Sequence, residues 1–179
     1  PHVTSVNIAC GWHAGDPLVM EKTVAMAKQH HVAVGAHPGF PDLLGFGRRE
    51  IKASPDEVYA YVKYQLGALY AFAHSQGLEV QHMKAHGSLY NMAGKDIRLA
   101  EAMCRACRDF DSQLIILALA GSQMELNGAD IADMQPAVRG GKTAEATAAL
   151  ASLGYSQAEI GAACSMAAAA MGELTGLSI

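Results

Sequence analysis

The stretch VQHMKAHGSLYN, Val80 to Asn91, decides how this chain is read. It starts with β-type alternation and ends with Lys84, His86, Tyr90 and Asn91 gathered around Gly87. An apolar strand that finishes in proton-handling and hydrogen-bonding side chains has the form of a parallel α/β strand. Such strands keep their chemistry at their C-terminal ends.

The same form occurs twice upstream. SVNIACGWHAGDP, Ser5 to Pro17, carries Asn7 in a buried-strand pattern and then His13 and Asp16. VAVGAHPGF, Val32 to Phe40, ends its strand at His37, against Pro38. Helical spacing separates the strands. Asp16-Pro17 supplies a cap and a first-turn proline for a helix to about His31. Ser54, Pro55 and Glu57 open a second helix with a capping box, which runs to Gly77. A third follows Asp96, and SQLIILALAG, Ser112 to Gly121, reads as a fourth strand. Strands alternating with helices of this length predict right-handed βαβ units in a parallel sheet or barrel.

After Gly121 the alternation stops. Residues 126–140 read as a turn-rich linker and 141–179 as an Ala-rich helical tail, which leaves 1–125 as the α/β unit. The chain begins PHVTSVNIACG without Met, as a piece of something longer would.

Composition narrows the function classes. A net charge of −4 argues against nucleic acid or an anionic membrane as the main partner. The longest apolar run, Leu114 to Gly121, is far below the ~20 residues of a membrane span. No basic segment precedes an apolar run at the start, so no export signal is read. Cys10, Cys104, Cys107 and Cys164 lie scattered in Ala-rich sequence, which fits a reducing cytoplasm better than a disulfide framework. GGKT, Gly140 to Thr143, ends like a phosphate loop, but Pro136 stands where the upstream Gly belongs. The CRAC segment, Cys104 to Cys107, reads as helix packing rather than a zinc half-site.

On a parallel sheet the three strand ends share one rim, so His13, His37 and His86 converge there. Neutral imidazoles in that position serve as general acids or bases, or as ligands of a divalent metal. Lys84 shares a strand face with His86, and a Lys at such a rim calls for an anion, either a carboxylate or a developing oxyanion. Arg48 or Arg49 offers a bidentate carboxylate clamp. His30, His31, His74 and His82 are away from the strand ends and are read as structural or exposed.

The blocks SVNIACGWHAGDP, VAVGAHPGFPDLLGFGRRE and HMKAHGSLYNMAG together resemble the LamB/YcsF family over about residues 3 to 125. QLGALYAFAHSQG and LIILALAGS fit the same template. An acidic opening block usual in the family is absent, and KAHGSLYN stands where KPHGALYN is usual. The tail is distantly similar to the C-terminal domain of the Holliday-junction protein RuvA.

The resemblance implies a deformed, seven-stranded (β/α) barrel, incomplete in this chain, and the cytoplasmic A subunit of a 5-oxoprolinase. Such a protein would open 5-oxo-L-proline to L-glutamate with ATP used by a complex with subunits B and C. Catalysis would then fall to His13, His37, Lys84 and His86, and substrate binding to Asn7, Asp16, Arg48, Tyr90 and Asn91. Two alternatives stand beside it. One is a metal-dependent amidohydrolase or deacetylase on the same rim; the other is a non-catalytic truncated or chimeric fragment. A half-barrel with open edges would also be expected to pair with another copy of itself.

Overall fold

The first two of the three alternating stretches become neighbouring strands, β1 (Ser5–Ala9) and β2 (Ala33–His37), and the third becomes β3 (Val80–Met83). The structure is a computed structural model of the chain that describes residues 3–125. The expected linker, the helical tail, GGKT and Cys164 lie outside the described residues.

A fourth strand, β4 (Ile115–Ile116), completes a parallel sheet ordered β1-β2-β3-β4. Sequential order with right-handed crossovers winds every helix onto one face, as in a (β/α) barrel. The α/β alternation read from the sequence is the architecture observed. β4 is far shorter than the run Ser112 to Gly121, because it pairs with β3 only at His82↔Ile115 and Met83↔Ile116. Leu117 N–H extends the contact by one bond to Met83 C=O, at 2.9 Å.

Helix α1 (Pro17–Gln29) starts where Asp16 accepts from the N–H groups of Leu18 and Val19, with Pro17 at the first helical position. Helix α2 (Pro55–Ser75) has the full capping box of Ser54 and Glu57. Gln76 caps its end, and Gly77 follows at φ 72°, one residue beyond the cap, where left-handed backbone favours glycine. Val58, Val62, Gln65, Leu66, Leu69 and Ala73 form the buried stripe of α2 at helical spacing.

A short helix, α3 (Gly87–Ala93), follows β3 directly and was not expected from the sequence. The last helix, α4 (Ile97–Phe110), begins at the Asp96 cap and packs on α2. Its Cys104 and Cys107 are fully buried, and burial pushes the Cys104 thiol up to about 11. They are inert packing residues, as the CRAC spacing suggested.

The two faces of the sheet differ in kind. Ile8, Val34, Ala36 and Met83 join the helices in the apolar core. The opposite face carries Asn7, Gly35, His37 and His82, which are small or polar. Asn7, Gly35 and His82 fall in one row across three strands. With no side chain at Gly35, the His82 ring crosses the middle strand and its Nε2 meets Asn7 Oδ1 at 2.8 Å. A Cβ at Gly35 would collide with the His82 ring.

Replacing Gly35 by Ala should therefore displace the His82 ring and break its bond to Asn7, lowering stability by about 1–3 kcal/mol. In denaturant unfolding, Gly35→Ala combined with His82→Ala should cost less than the sum of the single changes. Additive losses, or a neutral Gly35→Ala, would contradict this packing.

Candidate functional site

His37 ends β2, and the turns that leave β1 and β3 bring His13 and His86 to it, so that three imidazoles meet. His13 and His86 are buried and His37 half-buried. The His13 and His86 rings stack, with centroids 3.8 Å apart and planes inclined by 6°. His37 meets both edge-on, at 5.5 Å from His13 and 4.9 Å from His86. One nitrogen from each ring lies within 4.8 Å of the other two.

Backbone carbonyls fix how two of the rings are protonated. His37 Nδ1 lies 2.5 Å from Lys84 C=O, and His86 Nε2 lies 2.7 Å from Phe46 C=O. A carbonyl only accepts, so each of these nitrogens carries the proton and donates it. Between the rings, His86 Nδ1 faces His37 Nε2 at 3.0 Å. His13 Nδ1 is buried and has no hydrogen-bond partner among the described residues.

The loop that supplies the Phe46 carbonyl is held from several sides. Gln65, in the buried stripe of α2, bonds both Gly39 N–H and Gly39 C=O. Asp42 accepts from Gly45 N–H and from the Arg49 guanidinium. That ion pair holds the Asp42 carboxyl down to about 2. Phe46 sits at φ 53°, a conformation costly for a side chain of its size, so the loop must be over-determined to keep it. Ser88 closes the far side, its Oγ bonding the carbonyls of Gly47 and Arg49. A Cβ at Gly87 would collide with Gly47 C=O, so glycine permits this approach as well as the φ of 55°.

Burial and neighbouring positive charge depress all three imidazoles. Burial brings His13 down to about 3, aided by His86, His37 and Arg48. Burial likewise lowers His37 to about 4, against the raising effect of its bond to Lys84 C=O. His86 is lowered by burial and by Arg48 and Lys84, with Phe46 C=O opposing. The cluster is neutral near pH 7, the state required of a base or a metal ligand.

Lys84 is half-buried on the rim, its Nζ 5.6 Å from the Tyr90 ring centre. Arg48 is exposed over the Phe46 ring at 5.7 Å. Arg49 is committed to Asp42, which leaves Arg48 as the guanidinium of the pair for a ligand. Asn7 lies below the cluster on His82, and Asn91 is exposed on α3. Asp16 is exposed and occupied in capping α1, and the structure does not bring it to the histidines.

Sequence reasoning missed His82, Asp42, Gln65, Phe46 and Ser88 as parts of this assembly. His82 had a signal: it shares the β3 face of Lys84 by simple alternation. Asp42 and Ser88 had none beyond lying within conspicuous Gly-rich blocks.

The family model described as "LamB/YcsF family" matches residues 1–168. The A subunit of 5-oxoprolinase from Geobacillus thermodenitrificans is 62% identical over 124 residues, covering 69% of this chain and 48% of that protein. Its counterpart from Pyrococcus furiosus is 58% identical over 123 residues, again 69% and 48%. The crystal structure of a lactam utilization protein from Thermus thermophilus superposes with a TM-score of 0.71 at 50% identity, over 72% of this chain and 52% of that one. The chain thus spans about half the length of the curated relatives it matches.

The depressed imidazoles set the pH dependence of folding. Each has an ordinary value of 6.5, and His13 and His37 fall to about 3 and about 4 on folding. Below 6.5 the unfolded chain takes up protons that the folded one refuses, so stability is complete above that value and is lost as pH falls toward 4. Asp42 titrates lower and does not contribute in that window. Thermal midpoints in metal-free buffer should fall between about pH 7 and about pH 4.5, and His13→Gln should flatten the fall. A flat profile in the unmodified chain would contradict the burial of neutral imidazoles.

Proposed function

The chain belongs to the LamB/YcsF family, and we propose that it acts as the A subunit of a 5-oxoprolinase, opening the lactam of 5-oxo-L-proline to L-glutamate. The observation that carries this reading is the cluster of three neutral imidazoles beside Lys84. The names of the similar proteins supply the substrate class.

The reaction breaks the C–N bond of the five-membered lactam. Water supplies the hydroxyl that completes the new carboxylate and the proton taken up by nitrogen. A neutral imidazole lone pair at the rim suits removal of a proton from that water, and the same ring then carries a proton for the leaving nitrogen. Lys84 and Arg48 supply the positive charge for the substrate carboxylate or for the oxyanion that develops on the lactam carbonyl. Asn7 accepts from His82 through Oδ1, so its amide NH2 is the group turned toward a ligand oxygen. Tyr90, whose ring faces Lys84 Nζ, and Asn91, the next residue of α3, would orient the substrate ring.

An amide is a poor electrophile, which accounts for coupling to ATP. ATP would be used by the assembly with subunits B and C. Cys10, Cys104 and Cys107 are buried free thiols, which suits work in the reducing cytoplasm. No helix among the described residues is long and apolar enough to cross a membrane.

The test is ATP-dependent glutamate release from 5-oxoproline by the 179-residue chain mixed with subunits B and C. His86→Ala should lower kcat by about 100-fold or more. Lys84→Ala should reduce kcat/KM by a similar factor, with the fold retained by circular dichroism. Turnover within a few-fold of the unmodified chain in both variants would refute these roles, and no glutamate release from the unmodified mixture would refute the function.

A further inference from the structure

Counting protons around His37 and His86 leaves two lone pairs face to face. The outer nitrogens, His37 Nδ1 and His86 Nε2, are both committed as donors to carbonyls. A neutral imidazole has one ring proton, so His37 Nε2 and His86 Nδ1 each present a lone pair. These lone pairs face one another at 3.0 Å in a pocket that excludes most solvent. Two facing acceptors repel, and a cation between them, either a third proton or a metal ion, would relieve that repulsion.

A third proton would place an imidazolium beside Arg48 and Lys84, two fixed positive charges, in a site already costly for charge. A metal ion meets the geometry directly. Two imidazole nitrogens on a tetrahedral ion, each at roughly 2.0–2.1 Å, lie about 3.3 Å apart, within a few tenths of an ångström of the spacing here. A ligating His commonly donates its second nitrogen to a backbone carbonyl, which fixes the tautomer and the ring direction. Lys84 C=O and Phe46 C=O do this for His37 and His86.

We propose that the cluster is a binding site for a divalent transition-metal ion of the zinc type, anchored by His37 Nε2 and His86 Nδ1 with His13 as the third ligand. His13 stacks parallel on His86, so its lone pair lies in a separate plane, and it joins the ion by turning its ring. Its buried, unpartnered Nδ1 shows that the present orientation is not held by a hydrogen bond at that atom. No carboxylate belongs to the cluster among the described residues. An all-imidazole set selects Zn2+, Co2+, Ni2+ or Cu2+ over Mg2+ or Ca2+, and therefore over the ion that accompanies a nucleotide.

With the three lone pairs committed to the ion, the ion would supply the activation of water that a free imidazole supplies in the metal-free site. The inference goes beyond the lactam reading in this way, and its readout is separate from turnover. The 179-residue chain, stripped with a chelator, should take up one Co2+ with the intense visible absorption of a low-coordinate site, and Zn2+ should displace it. Mg2+ should not compete. His13→Ala, His37→Ala and His86→Ala should each weaken Co2+ binding by at least about tenfold, and His30→Ala should not. His86→Gln, which keeps a donor for Phe46 C=O, guards against loss through misfolding and should also weaken binding. No saturable Co2+ or Zn2+ binding by the stripped chain, or unchanged binding in any of the three cluster variants, overturns the assignment.

Discussion

The hydrogen bond from His86 Nε2–H to Phe46 C=O, at 2.7 Å, is the constraint on which the rest of the site depends. It joins a strand end to a loop 40 residues away in sequence, and it decides which nitrogen of His86 faces His37. Presenting that carbonyl puts Phe46 at positive φ, and three independent anchors hold the backbone there. Gln65 reaches from α2, Asp42 and Arg49 tie the loop to itself, and Ser88 ties it to α3. Gln65 has the fully buried position of an apolar core residue, and its amide is satisfied by Gly39 and by Tyr61 C=O. A buried polar side chain with every partner in place can specify one loop conformation where an apolar one would only fill space.

The sheet serves core and site with opposite faces of the same strands. Alternation sends Ile8, Val34 and Met83 into the helices and Asn7, His37 and His82 to the other side. Stability and chemistry are therefore coupled through strand register. A one-residue slip in β2 would move His37 into the apolar core and Val34 or Ala36 to the site. The apolar face protects against such slips, because Val34 and Ala36 are almost fully buried. Gly35 extends the coupling across the sheet, since its missing side chain is what lets β1 and β3 bond over β2.

Much of this was legible in the sequence, for definite reasons. Strand ends marked by His next to Gly or Pro located the rim, because a parallel sheet leaves those ends no other place. Asp16 and Ser54 located two helix starts through local capping chemistry. α3 was not legible: it lasts seven residues, has no side-chain cap, and begins at the glycine that looked like the end of a strand. The choice between Arg48 and Arg49 was also out of reach, since it turns on Asp42, which no periodicity distinguishes. The length of β4 depended on where β3 stops, a tertiary fact that the apolar run Leu114 to Gly121 could not reveal.

The central claim is that two backbone carbonyls hold neighbouring neutral imidazoles in opposite tautomers, lone pair to lone pair. Nitrogen-15 NMR of the histidine rings in the metal-free chain near neutral pH reads this directly. The account predicts His37 protonated at Nδ1 alone and His86 protonated at Nε2 alone. A spectrum in which the two rings share one tautomer, or in which either is imidazolium, would contradict it.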